Sequence, residues 1–273
     1  MKIALVQQKA GHDKDDNLRR GLEAFDRAAA AGARLVAFAE LAFERFYPQC
    51  RATAGFEAQA EPVPGPVTDA FAERARRHGV VTVLNLFERE GDRCFDCSPV
   101  IDADGTLVGK TRMVHITDYE GFHEQGYYAP GDTGAPVYET AVGRVGVAIC
   151  YDRHYPEYMR AMALGGAGLV VVPQAGATGE WPEGLYEAEM RVAAFQNGYY
   201  VALCNRVGTE ERLDFAGESF VCAPDGVVTA RAGQGTEEVL LAEVDFERVR
   251  SSHARRLFLR DRRPELYAEW IAG

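Results

Sequence analysis

Apolar and polar positions along the chain switch repeatedly between short apolar runs and a spacing of three to four residues. MKIALVQQ (1–8) is an apolar run of the kind a buried strand makes. NLRRGLEAFDRAAAAG (17–32) spaces its apolar residues for one face of a helix and stops at a glycine. RLVAFAE (34–40) reads as the next strand. PVTDAFAERARRHG (66–79) repeats the helix pattern, and VVTVLNLFE (80–88) reads as one strand after it. Two further strands flank DADG (102–105), a sequence suited to a tight hairpin. From Val137 come a strand pair, the helix PEYMRAMALGG, the strand LVVVP, a helix near EGLYEAEMRVAAFQNG and the strand YYVALCN. FAGESFVCAPDGVVTARA predicts a hairpin turning at APDG, EEVLLAEVDF a last strand, and a charged tail runs to Trp270.

Helical crossovers mixed with hairpins place the chain in the α/β class. They predict a mixed sheet, or two sheets covered by helices, in a single domain over residues 1–273 with no linker or internal repeat. Composition narrows the function. A net charge of -11 argues against a nucleic-acid surface, which needs a basic stripe. No segment is apolar enough over sufficient length to span a membrane, and MKIALVQQ is too short for a signal peptide. Six cysteines without a secretory signal predict a reduced, cytoplasmic protein. The one C-x-x-C pair, Cys94 and Cys97, would point to opposite faces of a strand and has no second pair to complete a zinc site. No glycine-rich nucleotide motif occurs, and HEQGY lacks the second histidine of a zinc helix, so neither cofactor nor metal is expected.

The stretch GRVGVAICYDRHYP (143–156) carries the candidate chemistry. Val145, Val147 and Ile149 alternate as a buried strand would, and the run ends on Cys150 before the polar Asp152, Arg153 and His154. A cysteine at the carboxyl edge of a sheet, followed by cations, is where a reactive thiol is expected. Buried cysteine also packs as an ordinary small hydrophobe, and the strand alone leaves both readings open. Two acids sit in comparable places. Glu40 follows the strand RLVAFA directly, and Glu124 lies in the aromatic, glycine-rich GFHEQGYYAPGD, where partial burial would raise its pKa.

The ordered series IALVQQ, LVAFAEL, RMVHI, EQGYYAPGD, GVAICYDRHYPE, GLVVVPQAG, ALCNRVG, APDG and LFLRDRRPELY resembles the nitrilase superfamily, the carbon–nitrogen hydrolases, over essentially the whole chain. The resemblance implies an αββα sandwich whose protomers pair through a helical face into a homodimer, with the tail of about 245–273 at the subunit interface. It implies Cys150 as nucleophile, Glu40 as general base and Glu124 as a second acid. One position departs from the pattern. The family's arginine, lysine, any residue, histidine, apolar residue appears here as Arg112, Met113, Val114, His115, Ile116, so Met113 stands in the lysine slot. Lysines are scarce, at Lys2, Lys9, Lys14 and Lys110 only, against twenty-six arginines. Lys110 is three residues upstream of that slot and serves as a stand-in catalytic lysine only if a bulge shifts the strand register.

Among the branches, Arg153 and His154 after the cysteine look closest to the β-ureidopropionase type, whose basic residues there meet a substrate carboxylate. Tyr151 would supply an oxyanion-binding N–H, and Met113 would line the substrate site. Two functions follow. One is a thiol amidohydrolase for an N-carbamoyl amino acid or small carboxylated amide. The other is a non-catalytic relative that binds a small acid or a partner protein.

Overall fold

The computed structural model describes residues 1–271. Fifteen strands and six α-helices follow in the order β1 Lys2–Gln7, α1 Lys14–Ala30, β2 Ala33–Phe38, α2 Pro66–His78, β3 Val81–Val83, β4 Leu86–Glu90, β5 Arg93–Ile101, β6 Leu107–Arg112, β7 Val137–Thr140, β8 Gly143–Val147, α3 Pro156–Leu164, β9 Leu169–Gln174, α4 Leu185–Asn197, β10 Tyr200–Asn205, β11 Val207–Thr209, β12 Asp214–Ala216, β13 Phe220–Cys222, β14 Val228–Arg231, β15 Glu238–Glu243, α5 Phe246–Ser251 and α6 Pro264–Ile271.

Two large sheets result. One runs β15-β1-β2-β3-β5-β4, with β6 also on β5, and the other runs β14-β13-β10-β9-β8-β7. Each has three parallel strands at its centre, β1–β2–β3 and β8–β9–β10, and antiparallel strands outside them. The facing sides share one core, in which Ile3, Leu5, Leu35 and Ala37 of the first sheet meet Val145, Val147, Leu169, Val171 and Ala202 of the second. The outer side of the first sheet packs on α1 and α2 through Phe25, Phe38 and Phe71. The outer side of the second packs on α3 and α4 through Met159, Met162, Met190 and Ala194. The layers are therefore α, β, β, α. The central strands are buried on both faces, which is why they read as near-continuous apolar runs rather than as alternation.

Cys94 and Cys97 separate as strand geometry requires. Cys94 faces the core between the sheets, and Cys97 faces the helices. Three expectations change. VVTVLNLFE is two strands, because at Leu84 and Asn85 the chain leaves the β3 ladder and the Asn85 amide turns inward to bond Leu41 N at 2.8 Å and Asp96 at 2.5 Å. The strand before the candidate cysteine stops at Val147, and Cys150–His154 is a 3₁₀ turn. FAG belongs to a separate small hairpin, β11–β12, ahead of the β13–β14 hairpin at APDG. The tail folds as α5, a turn of π-helix at Ala254–Phe258 and α6, and its last two residues, 272 and 273, lie outside the described residues.

Candidate active site

The parallel strands bring their carboxyl ends to one edge of the sandwich, where ligand chemistry gathers in α/β sheets. Glu40 lies two residues beyond β2, Cys150 three beyond β8, and Gln174 ends β9. Cys150 sits at φ 40° and Leu41, next to Glu40, at φ 44°. Non-glycine residues adopt this left-handed region at a cost of about 1–3 kcal/mol, held there by surrounding contacts. Those contacts are on hand. The buried Arg206 guanidinium donates to the Glu40 carbonyl at 2.8 Å and also to the Leu41 carbonyl, while Asn85 holds Leu41 N. Each sharp bend turns a functional side chain off the strand and into the space between the sheets.

There Glu40, Glu124 and Cys150 converge. A carboxylate oxygen from each acid and the Cys150 Sγ all lie within 4.8 Å of one another, and all three residues are buried. It is the one acid–thiol group among the described residues with a spacing a metal ion could also share. Both Glu40 oxygens and one Glu124 oxygen have no hydrogen-bond partner, nor has the buried Tyr128 hydroxyl. Unpaired buried carboxylates are costly, so protonation is the expected response. Burial, then the charge of Glu124, pushes the Glu40 carboxyl up to about 8. Burial, then Asp96, raises Glu124 well above the usual carboxylate range. The Cys150 thiol is pushed up by burial, then by Glu40 and Glu124, against the opposing pull of Arg153. A base near pH 8 beside a buried thiol is suited to exchanging a proton with it.

Met113 is 1% exposed and belongs to the same core cluster as Cys150. Its backbone is pinned from both sides, by Met113 N to Asp96 O at 3.0 Å and by Gly131 N to Met113 O at 2.8 Å. A Cβ at Gly131 would fall 2.3 Å from the Arg112 carbonyl oxygen, so only glycine allows this approach. Lys110, the stand-in cation, is not brought to the site. Its ammonium pairs with Glu88 and reaches the Val63 carbonyl at 3.2 Å. The strand does bulge, but at Leu107–Gly109, upstream of Lys110, and Lys110, Thr111 and Arg112 pair regularly with Pro99, Ser98 and Cys97. The odd offset therefore keeps Lys110 on the face away from Met113.

Arg153 lies against the turn at Cys150. It is 4% exposed, and its Nη1 donates to the Cys150 carbonyl and to Gln174 Oε1, both at 2.9 Å. Its guanidinium lies over the Tyr186 ring and its Nε is 3.5 Å from Glu189. Nη1 thus ties Arg153 to the turn at Cys150, while Nη2 and Nε have no hydrogen-bond partner. His154 meets Glu189 through Nδ1 at 2.6 Å and stands edge-on to Tyr151 and Trp181, and Tyr151 is half-buried beside it.

Several residues of the cluster escaped the sequence reading. Asp96, on β5, is buried, shares the Asn85 amide, and is pushed up by burial and by Glu40. Gln174 donates from Nε2 to Cys150 Sγ at 3.2 Å. Asp152 is fully buried and accepts from His115 Nδ1 at 2.7 Å and His115 N at 3.0 Å, fastening the turn after Cys150 to the chain after Met113. A charged residue inside the apolar strand RCFDCSPV, and a polar one closing LVVVPQ, were the available signals.

The family model described as Carbon-nitrogen hydrolase matches residues 2–254. The chain belongs to the carbon–nitrogen hydrolase family. An N-carbamoylputrescine amidase of Solanum lycopersicum is 33% identical, with 97% of this chain and 93% of that protein covered. A carbon-nitrogen hydrolase from Helicobacter pylori G27 superposes with a TM-score of 0.92 at 29% identity, covering 99% of both chains. A mutant of the amidase from Nesterenkonia sp. AN1, described with the acetamide moiety of fluoroacetamide added covalently at its active site cysteine, superposes with a TM-score of 0.83 at 27% identity, over 99% of this chain and 96% of that one. The protein is thus an enzyme of the carbon–nitrogen hydrolase class, and the alternative of a non-catalytic binding protein finds no support.

Proposed function

We propose that this hydrolase cleaves small amides or N-carbamoyl amines through a covalent intermediate on Cys150. The convergence of Glu40, Glu124 and the Cys150 sulfur within 4.8 Å, inside a buried site, carries the reading. Glu40 takes the thiol proton, and the sulfur attacks the substrate carbonyl carbon. The carbonyl π electrons move onto oxygen, which the N–H of Tyr151 receives. As the oxyanion collapses, the C–N bond breaks and the leaving amine or ammonia takes the proton from Glu40. Water, deprotonated in turn by Glu40, attacks the thioester-like intermediate and frees the thiol. Glu124 lines the site as a second acid. No step needs a metal or an organic cofactor.

The substrate class follows from what Arg153 does. One guanidinium nitrogen, Nη1, holds the turn at Cys150 through the Cys150 carbonyl and Gln174, while Nε faces Glu189 and Nη2 has no hydrogen-bond partner. The hold on the turn needs no substrate carboxylate, so the reading extends from N-carbamoyl amino acids to uncharged amides and N-carbamoyl amines. Ammonia release across a panel of amides and N-carbamoyl compounds, with and without a carboxylate, tests this against a Cys150→Ala control. A strict requirement for the carboxylate would restore Arg153 as its anchor.

We further propose that two copies pair through the α3–α4 face and the tail. Leu164, Val192, Phe195, Leu257 and Phe258 are exposed there, and Phe195 packs edge-on against Phe258. Apolar side chains gathered on one face fit a covered surface. Sedimentation should show a dimer that Val192→Asp dissociates, and an unchanged dimer would place the contact elsewhere.

A further inference from the structure

With methionine in the lysine slot and Lys110 turned away, the site lacks the ammonium that would stabilise a thiolate. We propose that Gln174 is a catalytic residue that fills this role, its side-chain amide, aimed by Arg153, donating a hydrogen bond to the Cys150 sulfur as the proton leaves. This rests on the assignment of Cys150 as nucleophile and adds to it a donor and the residue that orients the donor.

The contact is direct, with Gln174 Nε2 3.2 Å from Sγ, and Gln174 is wholly buried. Its backbone cannot drift, because Gln174 closes β9 in register with Asn205 of β10 and its carbonyl accepts from Arg206 N at 3.1 Å. Arg153 decides which way the amide faces. Its Nη1 donates to Gln174 Oε1 at 2.9 Å, and a guanidinium has only donors to offer. Flipping the amide would set its NH₂ against the guanidinium and its oxygen against the sulfur, losing both bonds. The same Nη1 also holds the Cys150 carbonyl, so one guanidinium fixes the donor and the strained nucleophile together. Tyr186 beneath and Glu189 alongside keep the guanidinium in place.

The chemistry follows from charge. A neutral thiol is a weak acceptor. When its proton passes to Glu40 the electron pair stays on sulfur, and the Gln174 bond becomes charge-assisted and stronger. Gln174 transfers no proton. Arg153 acts through Gln174 and the turn, as a positioning residue, and its positive charge favours the thiolate across a short, buried path.

The test is the pH dependence of iodoacetamide alkylation at Cys150, followed by peptide mass spectrometry on the intact protein, together with kcat and KM. Gln174→Met keeps the volume and removes the donor. Its alkylation midpoint should rise by about 1–2 pH units, and kcat should fall ~10–100-fold with KM changed far less. Arg153→Gln frees the Gln174 amide to flip and also removes a positive charge near the sulfur, so the midpoint should move the same way. Gln174→Leu, which also removes the donor while leaving the Arg153 charge, decides the matter if Gln174→Met fails to fold. Wild-type midpoints and kcat in a folded variant, with Cys150→Ala inactive, would overturn the role of Gln174 and leave the nucleophile standing. An active Cys150→Ala protein would instead overturn the assignment beneath it.

Discussion

Glu40→Gln removes a buried charge while keeping the shape of the side chain, and its effect on stability is set by pH. The Glu40 carboxyl moves from an ordinary 4.5 to about 8 on folding, first because burial disfavours the anion and then because Glu124 is close. A raised carboxyl pKa means that between these limits the folded protein holds a proton the unfolded chain has lost. Stability therefore falls as pH rises through this window, and the loss is complete above the folded value. At ~1.4 kcal/mol per unit, the shift costs the folded state about 2 kcal/mol at pH 6 and about 5 kcal/mol by pH 9. Glutamine carries no such cost. The stability difference between Glu40→Gln and wild type should thus grow in favour of the variant by ~2.7 kcal/mol from pH 6 to pH 9, then level off. Urea denaturation at fixed protein concentration measures it, and only the pH slope matters, since the buried amide adds a constant offset. A difference flat across this range would show that Glu40 is already ionised in the folded protein at pH 6, and that its unpaired oxygens do not raise its pKa.

Met113→Lys places a cation in the core cluster that holds Cys150, so the pH–rate midpoint should fall and activity at pH 7 should rise up to ~10-fold; an unmoved midpoint in a folded variant would show that position 113 does not face the acids. Lys110→Met should leave kcat and KM unchanged and cost ~1 kcal/mol from its partly buried pair with Glu88, read by urea denaturation; loss of turnover would return the catalytic lysine to Lys110. Cys150→Gly should fold as well as wild type or better, by up to ~1–3 kcal/mol, because glycine relieves the φ of 40°, while losing all turnover.

The layered fold was legible because both signals it depends on are local. Apolar runs such as LVVVP mark strands buried on two faces, and stretches such as NLRRGLEAFDRAAAAG mark the helices that cover them. Breaks imposed by the site were not legible. VVTVLNLFE carries no turn residue where it divides, since the division serves the reach of Asn85 to Leu41 and Asp96, partners 44 and 11 residues away. Cys150, Glu40 and Glu124 stood out as polar residues at strand or loop ends in a matching series of motifs. Asp96 did not, because a single acid inside a strand looks like a solvent-facing position until its burial is known. Arg153 has a role in the turn that its charge alone did not suggest. Its charge suggested a carboxylate, but its partners, Gln174 and the Cys150 carbonyl, are set by a turn that sequence spacing does not fix.

Mass spectrometry of the protein during turnover, quenched in acid and digested, tests the central claim most directly. With a slow amide substrate on the wild-type protein, a single adduct carrying the acyl part of the substrate should appear on the peptide containing Cys150. It should be absent from Cys150→Ala, which should also release no ammonia. An acyl adduct on another residue, or sustained ammonia release by Cys150→Ala, would contradict the account.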